Sequence, residues 1–126
     1  MRTEEIPRDQ WMPFLDRFSR QHEGWLVTLE VLAPDIGAQQ EASALPLEGI
    51  TVASRRNEPE TIAISVGKTP ADHVTHTINS PTHVWLEQTP EGAHSALEIE
   101  SKDETKTLLR FRSAVPAEMV EGVVLD

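Results

Sequence analysis

The sequence predicts an α+β fold in which one N-terminal helix packs on an antiparallel sheet of about seven strands. Three observations predict it. Apolar residues recur with helical spacing between residues 8 and 22, the period changes to two from Trp25 onward, and only turn-length loops separate the strand-like segments. Such short connections imply antiparallel pairing, in a meander or in a curled, barrel-like sheet. The 126 residues match the size of one domain, so we expect residues 1–126 to fold as a single unit.

The helix is predicted from large apolar side chains that recur one turn apart. They lie at i, i+3, i+4 and i+7 and are Trp11, Phe14, Leu15 and Phe18. Asp9 is the expected N-cap, which places Pro13 at the edge of the first turn, where its missing N–H removes little hydrogen bonding. Gly24 is the expected C-terminal stop. Three aromatic residues on one stripe need a surface to cover, so we expect this face to be core.

Seven segments after the helix show strand-like alternation between turn-forming residues. They are residues 25–32, 47–54, 62–66, 73–79, 82–88, 93–101 and 105–113. Residues 38–45 also have a helix-forming composition, but their short length and flanking turns favour a strand. Gly49 is typical of a bulge. Residues 114–126 are expected to form a C-terminal tail or a short final segment.

The register of the last two hairpins follows from requiring that apolar residues share one face. A four-residue loop at residues 90–93 gives four opposed pairs, which are Leu86 and Leu97, Val84 and Ile99, Trp85 and Glu98, and His83 and Glu100. A three-residue loop at residues 103–105 gives four more, which are Ile99 and Leu109, Leu97 and Phe111, Glu98 and Arg110, and Ala96 and Arg112.

This register predicts a polar and aromatic face on the side of the sheet away from the core. The candidate interaction or ligand face comprises His83, Trp85, Glu98, Glu100, Arg110 and Arg112. Trp and Arg are the residue types enriched at interface hot spots. A tryptophan on an outward face is either covered by another part of the chain, such as the C-terminal tail, or marks an interface. We therefore predict a binding or interaction module that forms homo-oligomers or binds a protein partner.

Other interpretations of the same face stay open. An ordinary solvated face with cross-strand pairs is the simplest, since such pairs contribute only ~0.2–1 kcal/mol each. If the sheet closes into a barrel, the same residues line an interior pocket. A small enzyme or ligand-binding protein would then use His83, Glu98, Glu100 and Arg110, with the histidine and a carboxylate as an acid–base pair.

Composition excludes several classes of function. The chain has no cysteine, which excludes disulfides, iron–sulfur clusters, thiolate zinc sites and cysteine nucleophiles. Its 21 acidic residues against 11 Lys and Arg give a formal charge of −10, which argues against DNA, RNA and anionic membranes as partners. The charged start at residues 1–5 has no apolar signal segment, and no apolar run is long enough to span a membrane. We therefore expect a cytoplasmic protein.

The five histidines form no recognisable metal motif. His73 and His76 are three residues apart on a predicted strand, which places them on opposite faces. The sequence has no His-Glu-x-x-His motif and no Gly-x-Ser-x-Gly elbow, and its isolated glycines offer no phosphate-cradling loop. We therefore predict no metal and no cofactor, and a binding module more readily than an enzyme.

Blocks spread over nearly the whole chain resemble a small family of uncharacterised bacterial proteins. The first block contains Ile6-Pro7-Arg8, Trp11, Phe14-Leu15, Phe18-Ser19-Arg20, His22 and Gly24-Trp25-Leu26-Val27-Thr28, and later blocks are residues 45–50, 76–78, 96–101 and 107–113. The resemblance implies one intact domain. Because the family has no assigned activity or site, it implies no function.

Overall fold

The computed structural model contains one antiparallel sheet of eight strands. It describes residues 2–56 and 58–115. The strands are β1 (Arg2–Glu5), β2 (Leu26–Ala33), β3 (Gly37–Arg55), β4 (Glu58–Val66), β5 (Val74–Asn79), β6 (Pro81–Gln88), β7 (His94–Ser101) and β8 (Lys106–Val115). Their order across the sheet is β1-β6-β7-β8-β2-β3-β4-β5, so β1 and β5 are its edges and the sheet is open. The predicted α+β fold is confirmed, with eight strands in place of about seven.

The observed strand count differs from the predicted count at two places, β3 and β1. Residues 38–45 and 47–54 belong to one 19-residue strand, β3, rather than to two strands. The additional strand is β1, whose four exposed residues have no alternating pattern and form a strand by pairing with β6. A short edge strand of this kind has no apolar face of its own, so its sequence carries little signal.

The helix α1 (Trp11–Gln21) follows a short 3₁₀ turn at Arg8–Gln10. Trp11, Leu15 and Phe18 are buried, and Phe14 packs partly against the same core, as the apolar stripe predicts. Pro13 lies in the first turn. The predicted N-cap is wrong, because the Gln10 N–H donates to the Pro7 carbonyl and the chain turns before Asp9 can cap the helix.

The end of α1 matches the prediction. The His22 N–H donates to the Phe18 carbonyl, and Gly24 has a φ of +87°, the left-handed conformation that a glycine adopts at little cost. The Gly24 N–H then donates to the Leu47 carbonyl over 2.8 Å. This bond joins the end of the helix to the middle of β3.

The long strand β3 bends around the helix and belongs to both halves of the sheet. Its first part pairs with β2 and its second part with β4, and the bend lies at Ala44, whose φ is +53°. The predicted bulge at Gly49 is confirmed by a register shift beside it. A Cβ atom at this position would lie 3.4 Å from the Ser19 Oγ, which accepts a hydrogen bond from the Ile50 N–H. Gly49 therefore lets the helix approach β3 closely.

A second corner joins β5 to β6 through Ser80 alone, whose φ is +52°. The two strands lie in different halves of the sheet, and corners of this type are made where a chain passes from one half to the other. The apolar side chains between the two halves and α1 form one core. Burying each large side chain there contributes about 1.5–3 kcal/mol before the entropy cost.

The register of the β6–β7 hairpin is as predicted. The observed pairs include Leu86 and Leu97, Val84 and Ile99, Trp85 and Glu98, and His83 and Glu100. The register of the β7–β8 hairpin is wrong by two residues. The observed pairs are Leu97 and Leu109, Ile99 and Thr107, Glu98 and Leu108, and Ala96 and Arg110. A shift of two preserves the faces, so the outward residues still point outward.

A longer turn and a buried threonine explain this shift. The turn covers residues 102–105 rather than 103–105, and the Ser101 N–H donates to the Thr105 carbonyl over 2.9 Å to close it. Thr107 then occupies the inward position opposite Ile99, where its hydroxyl lies 3.3 Å from the His76 Nε2. The prediction assumed apolar residues at every inward position, whereas a hydrogen-bonding partner from β5 allows a hydroxyl to be buried.

The predicted C-terminal tail is described only at its start. Residues 114 and 115 continue β8, and the His94–Val115 pair extends the hairpin with β7. Residues 116–126 lie outside the described part of the chain, so the tail stays a prediction.

Candidate functional site

The residues predicted for the interaction face all lie on the outward side of β6, β7 and β8, where they alternate with buried core residues. We call this surface the outer face and define it by His83, Trp85, Glu87, Ala96, Glu98, Glu100, Lys106, Leu108, Arg110 and Arg112. Strand register brings these residues together, because opposed residues in an antiparallel pair share a face.

The outer face has an apolar centre rather than a uniformly polar surface. Ala96 and Leu108, on neighbouring strands, are only 1% and 6% exposed. Trp85 is half-buried beside them, across β7 from Leu108. Neither Ala96 nor Leu108 was among the predicted residues of the face, because the shifted register is what puts Leu108 beside Glu98.

His83, Trp85 and Glu5 form a cluster at one side of the outer face. The His83 ring stacks on the Trp85 ring with centroids 5.0 Å apart and an interplanar angle of 13°. The His83 Nδ1 donates to the Glu5 Oε2 over 2.8 Å. Glu5 comes from β1, the strand missing from the prediction, and it lies directly opposite Trp85. Its strand had no alternating pattern that could have revealed it.

Glu98 is a half-buried carboxylate at the centre of the outer face, between Trp85 and Leu108. Burial raises the pKa of Glu98; Lys106 and Arg110 oppose this shift, and the neighbouring carboxylates Glu87 and Glu100 add to it. Within the described residues its carboxylate accepts no hydrogen bond and forms no ion pair. The group is therefore partly removed from water, and the charges of Lys106 and Arg110 compensate it without a direct contact.

The predicted pair of Glu98 and Arg110 does not form. Arg110 instead donates from its Nε to the Glu30 Oε1 of β2 over 2.8 Å, because β2 lies on the other side of β8. The sequence did not indicate that β2 and β8 are neighbours. The four residues proposed for an enzyme or ligand site consequently share a face but do not converge on one point; they are His83, Glu98, Glu100 and Arg110.

The three tryptophans differ in how their indole N–H groups are satisfied. Trp11 donates to the Ile6 carbonyl over 2.9 Å and Trp25 to the Gln21 carbonyl over 3.2 Å. Trp85 has no hydrogen-bond acceptor among the described residues. Because no buried polar side-chain atom of the described residues lacks a partner, the Trp85 N–H is the indole donor that is left to solvent.

A second histidine cluster lies in the core, at the end of α1. His22 is fully buried and packs between Phe18 and Phe111, with ring centroids 4.1 and 4.7 Å away. Its Nδ1 donates to the Phe18 carbonyl over 2.7 Å. Its Nε2 lies 3.2 Å from the Nδ1 of His94 in β7. The two histidines are 72 residues apart in sequence, so spacing gave no sign of the pair.

The hydrogen bonds assign the protons of this pair. A carbonyl only accepts, so the proton of neutral His22 sits on Nδ1, and Nε2 accepts from the N–H of His94. Burial lowers the pKa of His22 to about 4, the hydrogen bond to Phe18 opposes this shift, and His94 adds to it. Protonating His22 would set two N–H groups against each other in the core.

The remaining histidines have separate partners. His73 lies 3.0 Å from a carboxylate oxygen of Glu48, and His76 lies beside Thr107, so the two do not share a partner. Burial lowers the pKa of His76, while Glu41 opposes this shift. Among the described residues, no group of three or more His, Asp or Glu side chains is arranged to hold a metal ion.

Comparison with known proteins identifies relatives without a described activity. No helix in the described part of the chain is long and apolar enough to cross a membrane. No solved structure matches the chain. The chain is 30% identical over 116 residues to an uncharacterised protein of Aquifex aeolicus (strain VF5), covering 92% of this chain and 97% of that protein. A family model matches residues 2–120, and the chain therefore belongs to DUF5335, a family of unknown function.

Proposed function

We propose that this protein is a binding module that self-associates through the outer face. The observation that carries the proposal is the half-buried centre of that face, whose polar atoms reach solvent but bond to no other described residue. Trp85 and Glu98 are half-buried neighbours, and neither has a hydrogen-bonding partner among the described residues. Partly buried polar groups of this kind are stabilised when a second surface supplies partners, as at interface hot spots.

The charges of the outer face favour a second copy of this chain as the partner. Its acids lie on β6 and β7 and are Glu87, Glu98 and Glu100, whereas its bases lie on β8 and are Lys106, Arg110 and Arg112. A two-fold axis parallel to the boundary between β7 and β8 would set the acidic strip of one copy against the basic strip of the other. Such self-complementarity is what an isologous dimer interface requires.

Sedimentation over a concentration series tests this proposal. The wild-type protein should show a concentration-dependent dimer, and Trp85→Ala should weaken association at least about tenfold, as expected for a hot-spot aromatic. Ile36→Ala is the matched control, because Ile36 is a large apolar residue with 64% exposure outside the outer face. A wild-type protein that stays monomeric, or equal weakening by both substitutions, would contradict the proposal.

A charge reversal tests the arrangement of the two copies. Glu98→Lys should weaken the dimer because it sets a base against the basic strip of the second copy. Adding Lys106→Glu should restore association, because Lys106 lies two residues from Leu108, the β8 position opposite Glu98, and the double variant exchanges the two charges. If the double variant associates no better than Glu98→Lys alone, the acidic-against-basic arrangement is wrong.

A second candidate function, a ligand-binding or catalytic site at His83, has one supporting observation. The Glu5 carboxylate orients the His83 ring through Nδ1, which resembles the way a general base is held by an acid. Hydrolysis of p-nitrophenyl acetate by the wild-type protein and by His83→Gln tests this function. A hydrolysis rate that is the same in both proteins would contradict it.

A further inference from the structure

A cleft of about 670 Å³ opens at the end of the molecule where the 3₁₀ turn, the β3–β4 hairpin, the Ser80 corner and the β7–β8 turn meet. Side chains from all four segments line it, including Arg8, Arg55, Arg56, Glu60, Pro81 and Lys102. None of these residues belongs to the outer face, so the cleft is a separate feature. Its volume lies within the range of small-molecule sites.

The cleft concentrates positive charge in an acidic protein. The chain has 11 Lys and Arg residues against 21 acids, yet four of the 11 line this one cleft. Glu60 is the acidic residue among the described lining residues. Gathering like charges is unfavourable unless an anion compensates them, so this distribution points to an anionic ligand.

The backbone around the cleft is tied together by hydrogen bonds across the segments. The Ser80 N–H donates to the Glu60 carbonyl over 3.1 Å, and the Lys102 N–H donates to the Ser80 carbonyl over 3.0 Å. Arg8 donates to the carbonyls of Pro59 and Pro81, over 3.1 and 3.3 Å. The four segments are therefore held in place before any ligand binds, which lowers the cost of binding.

The other three basic side chains differ from Arg8 in their contacts. Within the described residues, the side chains of Arg55, Arg56 and Lys102 make no hydrogen bond and no ion pair. Arg55 ends β3, and Arg56 follows it in the hairpin turn with a φ of +53°, a conformation that arginine rarely adopts. Two arginines adjacent in sequence and one lysine therefore line the cleft without a partner among the described residues.

We propose that this cleft binds the phosphoryl group of a small organic phosphate. Guanidinium groups bind phosphate oxygens in a bidentate manner, and a lysine adds a point charge. Pro59 and Pro81 supply an apolar wall for the organic part of the ligand. A nucleic acid fits less well, because the surrounding chain is strongly acidic and would repel the rest of a polyanion.

Calorimetric titration with ADP, pyrophosphate and adenosine tests the proposal on the full chain. ADP should bind saturably and adenosine should not, while pyrophosphate reports the contribution of the phosphoryl groups alone. Arg55→Gln/Arg56→Gln should weaken ADP binding about tenfold or more. Each substitution removes a charge-assisted contact, and such contacts supply much of the binding free energy of a weak ligand. Lys102→Gln should weaken it less.

The matched control is Arg17→Gln/Arg20→Gln, which removes the same charge from the exposed side of α1. It should change the ADP affinity less than about twofold, since screened distant charges contribute little. Thermal unfolding should be the same for both double variants because all four arginines are exposed. Three outcomes would overturn the proposal: no saturable ADP binding, equal weakening by the control, or tighter binding of a single-stranded oligonucleotide than of ADP.

Discussion

Two histidine clusters of similar composition have opposite surroundings in this protein. His22 packs on Phe18 and is fully buried in the core, whereas His83 stacks on Trp85 and is exposed on the outer face. The ring of His22 donates its Nδ1–H to the Phe18 carbonyl and accepts at Nε2 from His94, so both nitrogens are satisfied inside the chain. The outer cluster keeps an indole N–H without an acceptor in the described residues. Burial thus makes one cluster a determinant of stability and leaves the other accessible for the self-association that we propose.

The largest expected effect that separates the clusters is on folding stability. Phe18→Ala should lower the free energy of unfolding by about 3–5 kcal/mol, because it leaves a cavity against His22 and Phe111. Phe14→Ala is the control on the same helix, and it should cost less because Phe14 is only partly buried. Urea denaturation measures both values, and equal losses would show that the buried cluster is not tightly packed.

The pH dependence of stability gives the next largest effect. The pKa of His22 falls from 6.5 to about 4 on folding, so the unfolded chain takes up a proton that the folded chain does not. As pH falls from about 6.5 to 4, this difference should destabilise the fold progressively by about 3 kcal/mol, and it should have no effect above that range.

The His22→Gln variant isolates this contribution, since glutamine keeps a donor and an acceptor. We expect its unfolding free energy to fall less steeply between pH 6.5 and 4 than that of the wild-type protein. Denaturation at several pH values measures the difference. Parallel curves for the two proteins would mean that folding does not lower the pKa of His22.

The smallest stability effect is expected at the outer cluster. Glu5→Gln removes the charge that orients His83 and should change the free energy of unfolding by only ~0.2–1 kcal/mol, as for other exposed ion pairs. The same change should perturb the stacking of His83 on Trp85, which tryptophan fluorescence reports. A loss comparable with that of Phe18→Ala would erase the distinction between the two clusters.

The parts of the fold that were predicted correctly depend on local pattern. The stripe of Trp11, Leu15 and Phe18 and the stop at Gly24 follow from helix periodicity and backbone preference, which neighbouring residues determine. The β6–β7 register also followed, because apolar residues alternate on both strands. The β7–β8 register did not, since the position of Thr107 depends on His76, a residue 31 positions away.

The candidate sites were also predicted only where a local pattern exists. Alternation identified the six predicted residues of the outer face, but not their partners. Glu5 reaches His83, and Glu30 reaches Arg110, only because their strands are neighbours in the sheet. The basic cleft was not predicted at all. Its residues come from four separate segments, and no spacing between Arg8, Arg55 and Lys102 indicates that they meet.

The sequence by itself determined the composition of each face of the helix and strands, because the periods of 3.6 and 2 act within a few residues. It also determined the absence of cysteine chemistry and the strongly acidic charge. Only the tertiary structure decided which strands are neighbours, how the sheet bends at Ala44 and Ser80, and which charged groups are gathered or separated. Those contacts join residues far apart in the chain, and their energies depend on burial and distance, which local sequence does not encode.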